Sequence, residues 1–212
     1  MTVATLTPDE LLTTTRSVRK RLDLTRPVPP DLVRECLEIA LQAPSGSNRQ
    51  GWHWLVVTDP EMRARIGELY RRSTERYLAA SDPGAAPERS GPADSDVQRR
   101  VRDSAAYLGQ HMGEVPVHVI PCIRLDAPWP PGETQAGLWG SLLPAAWSYM
   151  SRGLGTAWTT LHLAYEQQVA ELLGLPGDVR QGALIPTAYY TGQTFRRAPR
   201  RPLEQVLHVN HW

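Results

Sequence analysis

A mixed α/β or α+β fold is predicted by three features of this sequence. Amphipathic stretches and short apolar strands follow one another as αα-β-αα-β-α-α-β, without the strict alternation of a doubly wound sheet. No glycine fingerprint joins a strand to a helix as a dinucleotide-binding unit requires. The 212 residues suffice for one sizeable domain and show no internal repeat, so 1–212 reads as a single domain.

The elements follow from local signals. Thr7-Pro8-Asp9-Glu10 is a capping box with proline at the first helical position, which starts a helix over 8–14. Pro29-Pro30-Asp31 starts a second, with Leu32, Val33, Cys36, Leu37, Ala40 and Leu41 at helical spacing and Pro44 as its limit. Residues 52–58, from Trp52 to Thr58, read as a largely buried strand. Asp59-Pro60-Glu61 then caps a long helix to about Ala80.

Residues 81–95 are rich in Pro, Gly and small polar residues, and a loop of that length in a compact domain is a candidate lid. A helix resumes near Asp96, with Val97, Val101, Ala105, Leu108 and Met112 on one stripe. Residues 117–125 form a strand in which Pro121 signals an edge or a bulge. Residues 126–137, with Trp129, are a second candidate lid. Residues 138–152 are an almost wholly apolar helix interrupted by Pro144, which predicts deep burial or a subunit interface. Gly153-Leu154-Gly155 ends it in a turn. Residues 165–173 are helical, stopped by Gly174 and Pro176, and 183–191 form the last strand. The tail, 192–212, has no periodicity and needs an anchor, such as a partner subunit.

Composition narrows the function. The 23 basic and 22 acidic residues give a net charge of +1, which argues against coating nucleic acid by bulk charge, so basic clusters are local devices. Cys36 and Cys122 lack metal-ligand or redox spacing and read as buried free thiols in a reducing compartment. His118 and Cys122, four apart on one strand, read as core, since no third ligand accompanies them. No basic leader and no apolar run near the roughly 20 residues of a membrane span are present, so a soluble, cytoplasmic protein is expected. Seven Trp and seven Tyr against one Phe suit half-wet pockets and interfaces as well as a core.

Three stretches carry chemistry. Arg16, Ser17 and Arg19 lie in a basic turn just after the first helix, and Arg196-Arg197 with Arg200-Arg201 form a second basic knot. A basic turn alone is ordinary solvated surface. Two such knots with a hydroxyl between fork donors suit a phosphate if the chain ends meet. Ser45, Asn48 and Gln50 lie in a small-residue loop whose amides offer donor and acceptor together, as the polar edge of a flat heterocycle requires. Together these residues read as a flavin mononucleotide site.

Four pieces in order resemble the FMN-dependent nitroreductase family. They are Arg16-Ser17-Val18-Arg19, residues 43–50 followed by Trp52-His53-Trp54, Gly153-Leu154-Gly155, and Arg200-Arg201-Pro202-Leu203-Glu204-Gln205-Val206. The resemblance implies an α+β fold: a mixed central sheet flanked by helices, in a homodimer whose C-terminal extension wraps the partner. It implies FMN held by Arg16, Ser17, Val18 and Arg19, a phosphate clamp completed by Arg200 and Arg201, and a site lined by Pro44, Ser45, Asn48, Gln50 and Trp158. Asn48 and Gln50 would come from the partner subunit. Thr159 and Thr160 match the stretch facing flavin N5 and would tune its electron transfer. The implied activity is ping-pong: NAD(P)H as transient donor, then an electron-poor small molecule such as a nitroaromatic, quinone or activated alkene. Two rivals stand beside it. One is a flavoprotein that sequesters FMN or performs a specialised biosynthetic oxidation. The other is a basic nucleic-acid module using 16–21 and 196–201, which the near-neutral charge disfavours.

Overall fold

The computed structural model describes residues 6–45, 48–80, 92–124, 152–192, 195–200 and 202–211. The expected helix 138–152, the loop 126–137, most of the loop 81–95, and Arg201 lie outside the described residues.

Five helices and five strands are described: α1 (Pro8–Thr14), α2 (Pro30–Ala40), β1 (Trp52–Val57), α3 (Pro60–Ala80), α4 (Pro92–His111), β2 (Val117–Arg124), β3 (Leu154–Thr156), α5 (Glu166–Leu173), β4 (Val179–Gln181) and β5 (Ile185–Tyr189). The architecture is α+β. The strands pair antiparallel in the order β1-β2-β5-β3, and β4 also pairs with β2. The expected mixed sheet is thus antiparallel in its described strands, with one isolated parallel bridge, from Ser17 to Thr156, outside them.

The strand β2 organises the core. Its Val117, Val119 and Ile123 pack with Val33, Cys36 and Ala40 of α2, while Ile120 and Cys122 pack with Ile66, Tyr70, Leu108 and Met112 from α3 and α4. Alternate side chains of a strand point to opposite faces, so helices cover both sides of it. This strand is central, not an edge. Pro121 is tolerated there because the neighbouring chain bulges: Val119 pairs with Ile185 and Cys122 with Gln181, leaving Gly182, Ala183 and Leu184 opposite Ile120 and Pro121. The Gly182 N–H donates to the Pro121 carbonyl at 2.8 Å.

Three further expectations are corrected. Among the described residues β1 pairs only with β2 and no strand covers its far edge, and of its residues only Val57 is buried. The helix expected from Asp96 begins at Pro92, since proline at the first helical turn loses no hydrogen bond. Its stripe is buried only at Leu108 and Met112; Val97 and Val101 are 41 % and 46 % exposed. Among the described residues no helix is long and apolar enough to cross a membrane.

Burial pushes the Cys36 thiol up to about 11 and the Cys122 thiol up to about 12, so both stay protonated. Two histidines are also buried. His118 hydrogen-bonds the Met112 carbonyl through Nε2 at 2.8 Å, and neither ring nitrogen of His162 has a described partner. Burial lowers His118 to about 4; burial and then the neighbouring His118 lower His162 to about 3. Both folded values lie below the ordinary 6.5, so the unfolded chain takes up protons first as pH falls. Stability is therefore expected to be full above about pH 6.5 and to decline towards pH 4, by on the order of 3 kcal/mol for His118 alone. Urea midpoints at about pH 7 and about pH 4.5 check this; equal midpoints would refute it.

Candidate functional site

The first basic segment is delivered by the end of α1. Thr13, Thr14 and Thr15 return their hydroxyls to the carbonyls of Asp9, Glu10 and Leu11, and the chain leaves the helix at Thr15 in an extended conformation. Arg16 then donates through Nη1 to the Thr15 carbonyl at 2.5 Å and through Nη2 to the Arg196 carbonyl. The two basic knots thus meet across 180 positions of sequence. Partial burial and the nearby Arg200 guanidinium lower the Arg16 pKa. Among the described residues neither Arg16 nor Arg200 forms an ion pair. Two neighbouring cations with no ion pair among the described residues have the charge to attract an anion.

The next residues are stitched to the sheet. The Val18 N–H donates to the Thr156 carbonyl at 2.7 Å, and the Val18 side chain is buried on Gly155, where an added Cβ would lie 2.9 Å from it. Gly155 is thus required by close packing, and Gly153 by its φ of +76° in the preceding turn. Val18 faces the core, Ser17 is exposed, and Arg19 turns to a cavity. Arg21 donates to the Thr191 carbonyl at 2.6 Å and stacks on Phe195, 4.2 Å from its centroid, which holds the start of the tail.

The cavity has a volume of about 1030 Å³, and Arg19, Tyr70, Trp158, Thr159 and Thr160 are among the residues that line it. Helix α3 sets its floor: the Tyr70 and Thr159 hydroxyls share a hydrogen bond of 2.9 Å, and Ser73 donates to the Leu161 carbonyl at 2.6 Å. Thr159 is committed a second time, since its backbone exchanges hydrogen bonds of 3.1 and 2.8 Å with Leu184. Thr160 is exposed, and no described residue accepts from its N–H. Tyr70, Glu166 and Gln181 also line the cavity and were not among the sequence candidates. Nothing local marks them, because they arrive from α3, α5 and the bulged strand.

The loop after α2 is built separately. Asn48 N–H donates to the Ser45 carbonyl at 3.0 Å, Gln50 N–H to Ser45 Oγ at 3.2 Å, and Gln50 Nε2 to Asn48 Oδ1 at 2.9 Å. Asn48 and Gln50 have φ of +53° and +47°, a left-handed conformation that costs non-glycine residues about 1 kcal/mol or more each. Pro44, Asn48 and Gln50 are exposed and Ser45 is half-buried. None of the four lines the cavity of its own chain.

Comparison with known proteins adds to this geometry. The model of the Nitroreductase family matches residues 12–189. A protein of Thermus thermophilus named NADH dehydrogenase is 29 % identical over 210 residues, covering 91 % of this chain and 90 % of that one. Iodotyrosine deiodinase, solved with FMN and 3-iodo-L-tyrosine, superposes with a TM-score of 0.72 at 19 % identity, over 95 % of this chain and 98 % of that one. The FMN and NADPH-dependent nitroreductase of Sphigopyxis sp. strain HMH gives a TM-score of 0.70 at 22 % identity, over 98 % and 100 % of the two chains. At those identities the structural likeness establishes the fold.

Proposed function

The chain belongs to the nitroreductase family and is an FMN-dependent oxidoreductase, and from that premise we propose that it passes electrons from NAD(P)H to electron-poor small molecules by a ping-pong cycle. The observation that carries the reading is the meeting of Arg16 with the segment 196–200: Arg16 and Arg200 stand close together with no ion pair among the described residues, and the segment of Arg16 also sends Arg19 into the cavity.

The residues fit the cofactor. Pockets for ligands of this size span about 300–1,000 Å³, and the cavity of about 1030 Å³ is of that order. Arg16 and Arg200, joined by Arg201, would hold the phosphate as fork donors. Ser17 and Arg19 would meet the ribityl chain and pyrimidine edge, with the Val18 backbone kept in place by its packing on Gly155. The Thr160 N–H or hydroxyl would face N5, while Thr159 acts through its bond to Tyr70 as a strut. Trp158 would wall the ring. When bound, FMN supplies the two-electron relay by which NAD(P)H and a proton convert a nitro group to nitroso and water, or a quinone to its hydroquinone. Arg19 contributes a fixed positive charge where negative charge accumulates.

A second subunit completes the site in this reading. Pro44, Ser45, Asn48 and Gln50 would enter from it, presenting amides already ordered by their mutual hydrogen bonds. The tail supports a homodimer of this kind: Leu203, Val206, Leu207 and Val209 are 61 %, 56 %, 53 % and 70 % exposed in the single chain, an apolar surface suited to a partner.

The test is an absorption spectrum of the purified protein followed by turnover. Bands near roughly 370 and 450 nm, released as FMN on heating, with NAD(P)H oxidation on adding a nitroaromatic or a quinone, are expected. Bound FMN without nicotinamide oxidation would favour the specialised or sequestering alternative. A colourless protein that takes up no FMN would end the proposal.

A further inference from the structure

The reading above sets a donor of Thr160 before flavin N5, and the neighbours of Thr160 in the chain determine how firmly that donor is held. Thr160 lines the cavity and stands just before the short 3-10 turn Leu161–Tyr165, to which its side chain makes no capping hydrogen bond. No described residue accepts from its N–H. The residues on either side of it are tied down. Thr159 exchanges two backbone hydrogen bonds with Leu184, and its hydroxyl shares a third, of 2.9 Å, with that of Tyr70. The Leu161 carbonyl accepts from Ser73 Oγ at 2.6 Å. Tyr70 and Ser73 lie three positions apart on α3, so they project from one face of it, and both are buried. The Tyr70 ring packs in the apolar cluster with Ile66, Leu108 and Met112. A phenylalanine would fill that place with no polar atom to satisfy, so what the hydroxyl adds there is its bond to Thr159.

We propose that Tyr70 and Ser73 are positioning residues of the redox site: a two-point clamp from α3 that fixes residues 159 and 161 and so holds the Thr160 N–H as a stationary donor at the edge of the cofactor. The assignment rests on the flavoenzyme reading above. A donor already held from both sides needs no ordering when the cofactor arrives. Its effect on the cofactor has a definite sign. Flavin N5 carries a lone pair that accepts a hydrogen bond while the ring is oxidised. On two-electron reduction N5 gains a proton and becomes a donor itself, and a backbone N–H has no lone pair with which to accept in return. A fixed N–H at N5 therefore favours the oxidised cofactor and lowers its potential. Loosening the clamp raises it.

The experiment compares the native holoprotein with Tyr70→Phe, Thr159→Val, Thr159→Ser, Ser73→Ala and the double variant Tyr70→Phe with Thr159→Val. The midpoint potential of bound FMN is read by equilibration with a reference dye, and the melting temperature of each apo-protein is recorded beside it. In Tyr70→Phe the preference for oxidised over reduced FMN is expected to fall about three- to tenfold, the scale of one neutral hydrogen bond, which raises a two-electron potential by about 15–30 mV. Thr159→Val should shift it equally, and the double variant should add nothing, because the bond it would remove is already gone. Thr159→Ser keeps the hydroxyl and should keep the native potential. Ser73→Ala should raise the potential from the other end of the clamp. A lower melting temperature with an unmoved potential in Tyr70→Phe is the result of an ordinary core hydroxyl and overturns the proposal. A lowered potential overturns it as well, as does a full further shift in the double variant. A native protein that takes up no FMN ends the flavoenzyme reading and the clamp with it, whereas native FMN binding with an unmoved potential removes the clamp alone.

Discussion

Replacing Arg200 by alanine is expected to weaken FMN binding about 10- to 150-fold, the loss produced by removing a charged hydrogen bond of ~1.5–3 kcal/mol. The sign of the accompanying stability change makes this a sharp test. In the protein without cofactor, Arg200 and Arg16 repel each other, because the Arg16 guanidinium is held beside Arg200 by its bond to the Arg196 carbonyl. Removing one charge relieves that repulsion, so the apo-protein should melt no earlier than the native chain while the holoprotein loses its gain on binding FMN. Arg19→Ala should also weaken FMN, from the cavity side. Titration of apo-protein with FMN, followed by flavin fluorescence, reads both affinities. Native affinity in both variants would remove the assignment of these arginines to the cofactor.

Gly67→Ala is expected to destabilise the fold by on the order of 3 kcal/mol, although the same change in an exposed helix interior gains about 1 kcal/mol from helix propensity. The reversal is steric. A Cβ on Gly67 would stand 2.5 Å from the Gly113 nitrogen and 2.6 Å from its Cα, and backbone, unlike a flexible side chain, has no rotamer by which to retreat. Helix α3 would have to lift from the turn at 112–114. It carries Tyr70 and Ser73, so the Thr159–Leu161 segment would move with it. A lowered urea midpoint together with weakened FMN binding is the expected pair of readouts. Gly177→Ala is the control, since nothing lies within 4 Å of its added Cβ. A Gly67→Ala protein as stable as the control would contradict the packing argument.

Signals acting over one or two helical turns were legible. Thr7 and Glu10 form the expected box, with the Thr7 N–H donating to Glu10 Oε2 at 2.9 Å. Asp59 caps α3 through the Met62 N–H at 2.8 Å, and Gly174 ends α5 at φ +65°. The stripe of α2 is buried at Val33, Cys36 and Ala40 as its spacing requires, although Leu41, just past the helix, is 42 % exposed. The three-residue strands β3 and β4 were not legible. Three residues are too few to show a period, and β4 forms because β2 continues past the bulge and offers it a partner.

For the candidate site, the sequence named residue types and not their division of labour. Two basic knots with no acidic residue among them already pointed to a phosphate, and the loop at 45–50 pointed to an amide-lined edge. Thr159 and Thr160 look alike in the chain, yet only Thr160 faces outward, because Tyr70 and Leu184 take the groups of Thr159. Arg102 and Arg180, which also line the cavity, carry no motif at all. Chain composition and backbone hydrogen bonding decide local elements, since every group involved lies within a few positions. Which distant residues share a cavity depends on packing contacts across the whole chain, and folding decided that here by bringing Arg16 to Arg196 and Tyr70 to Thr159.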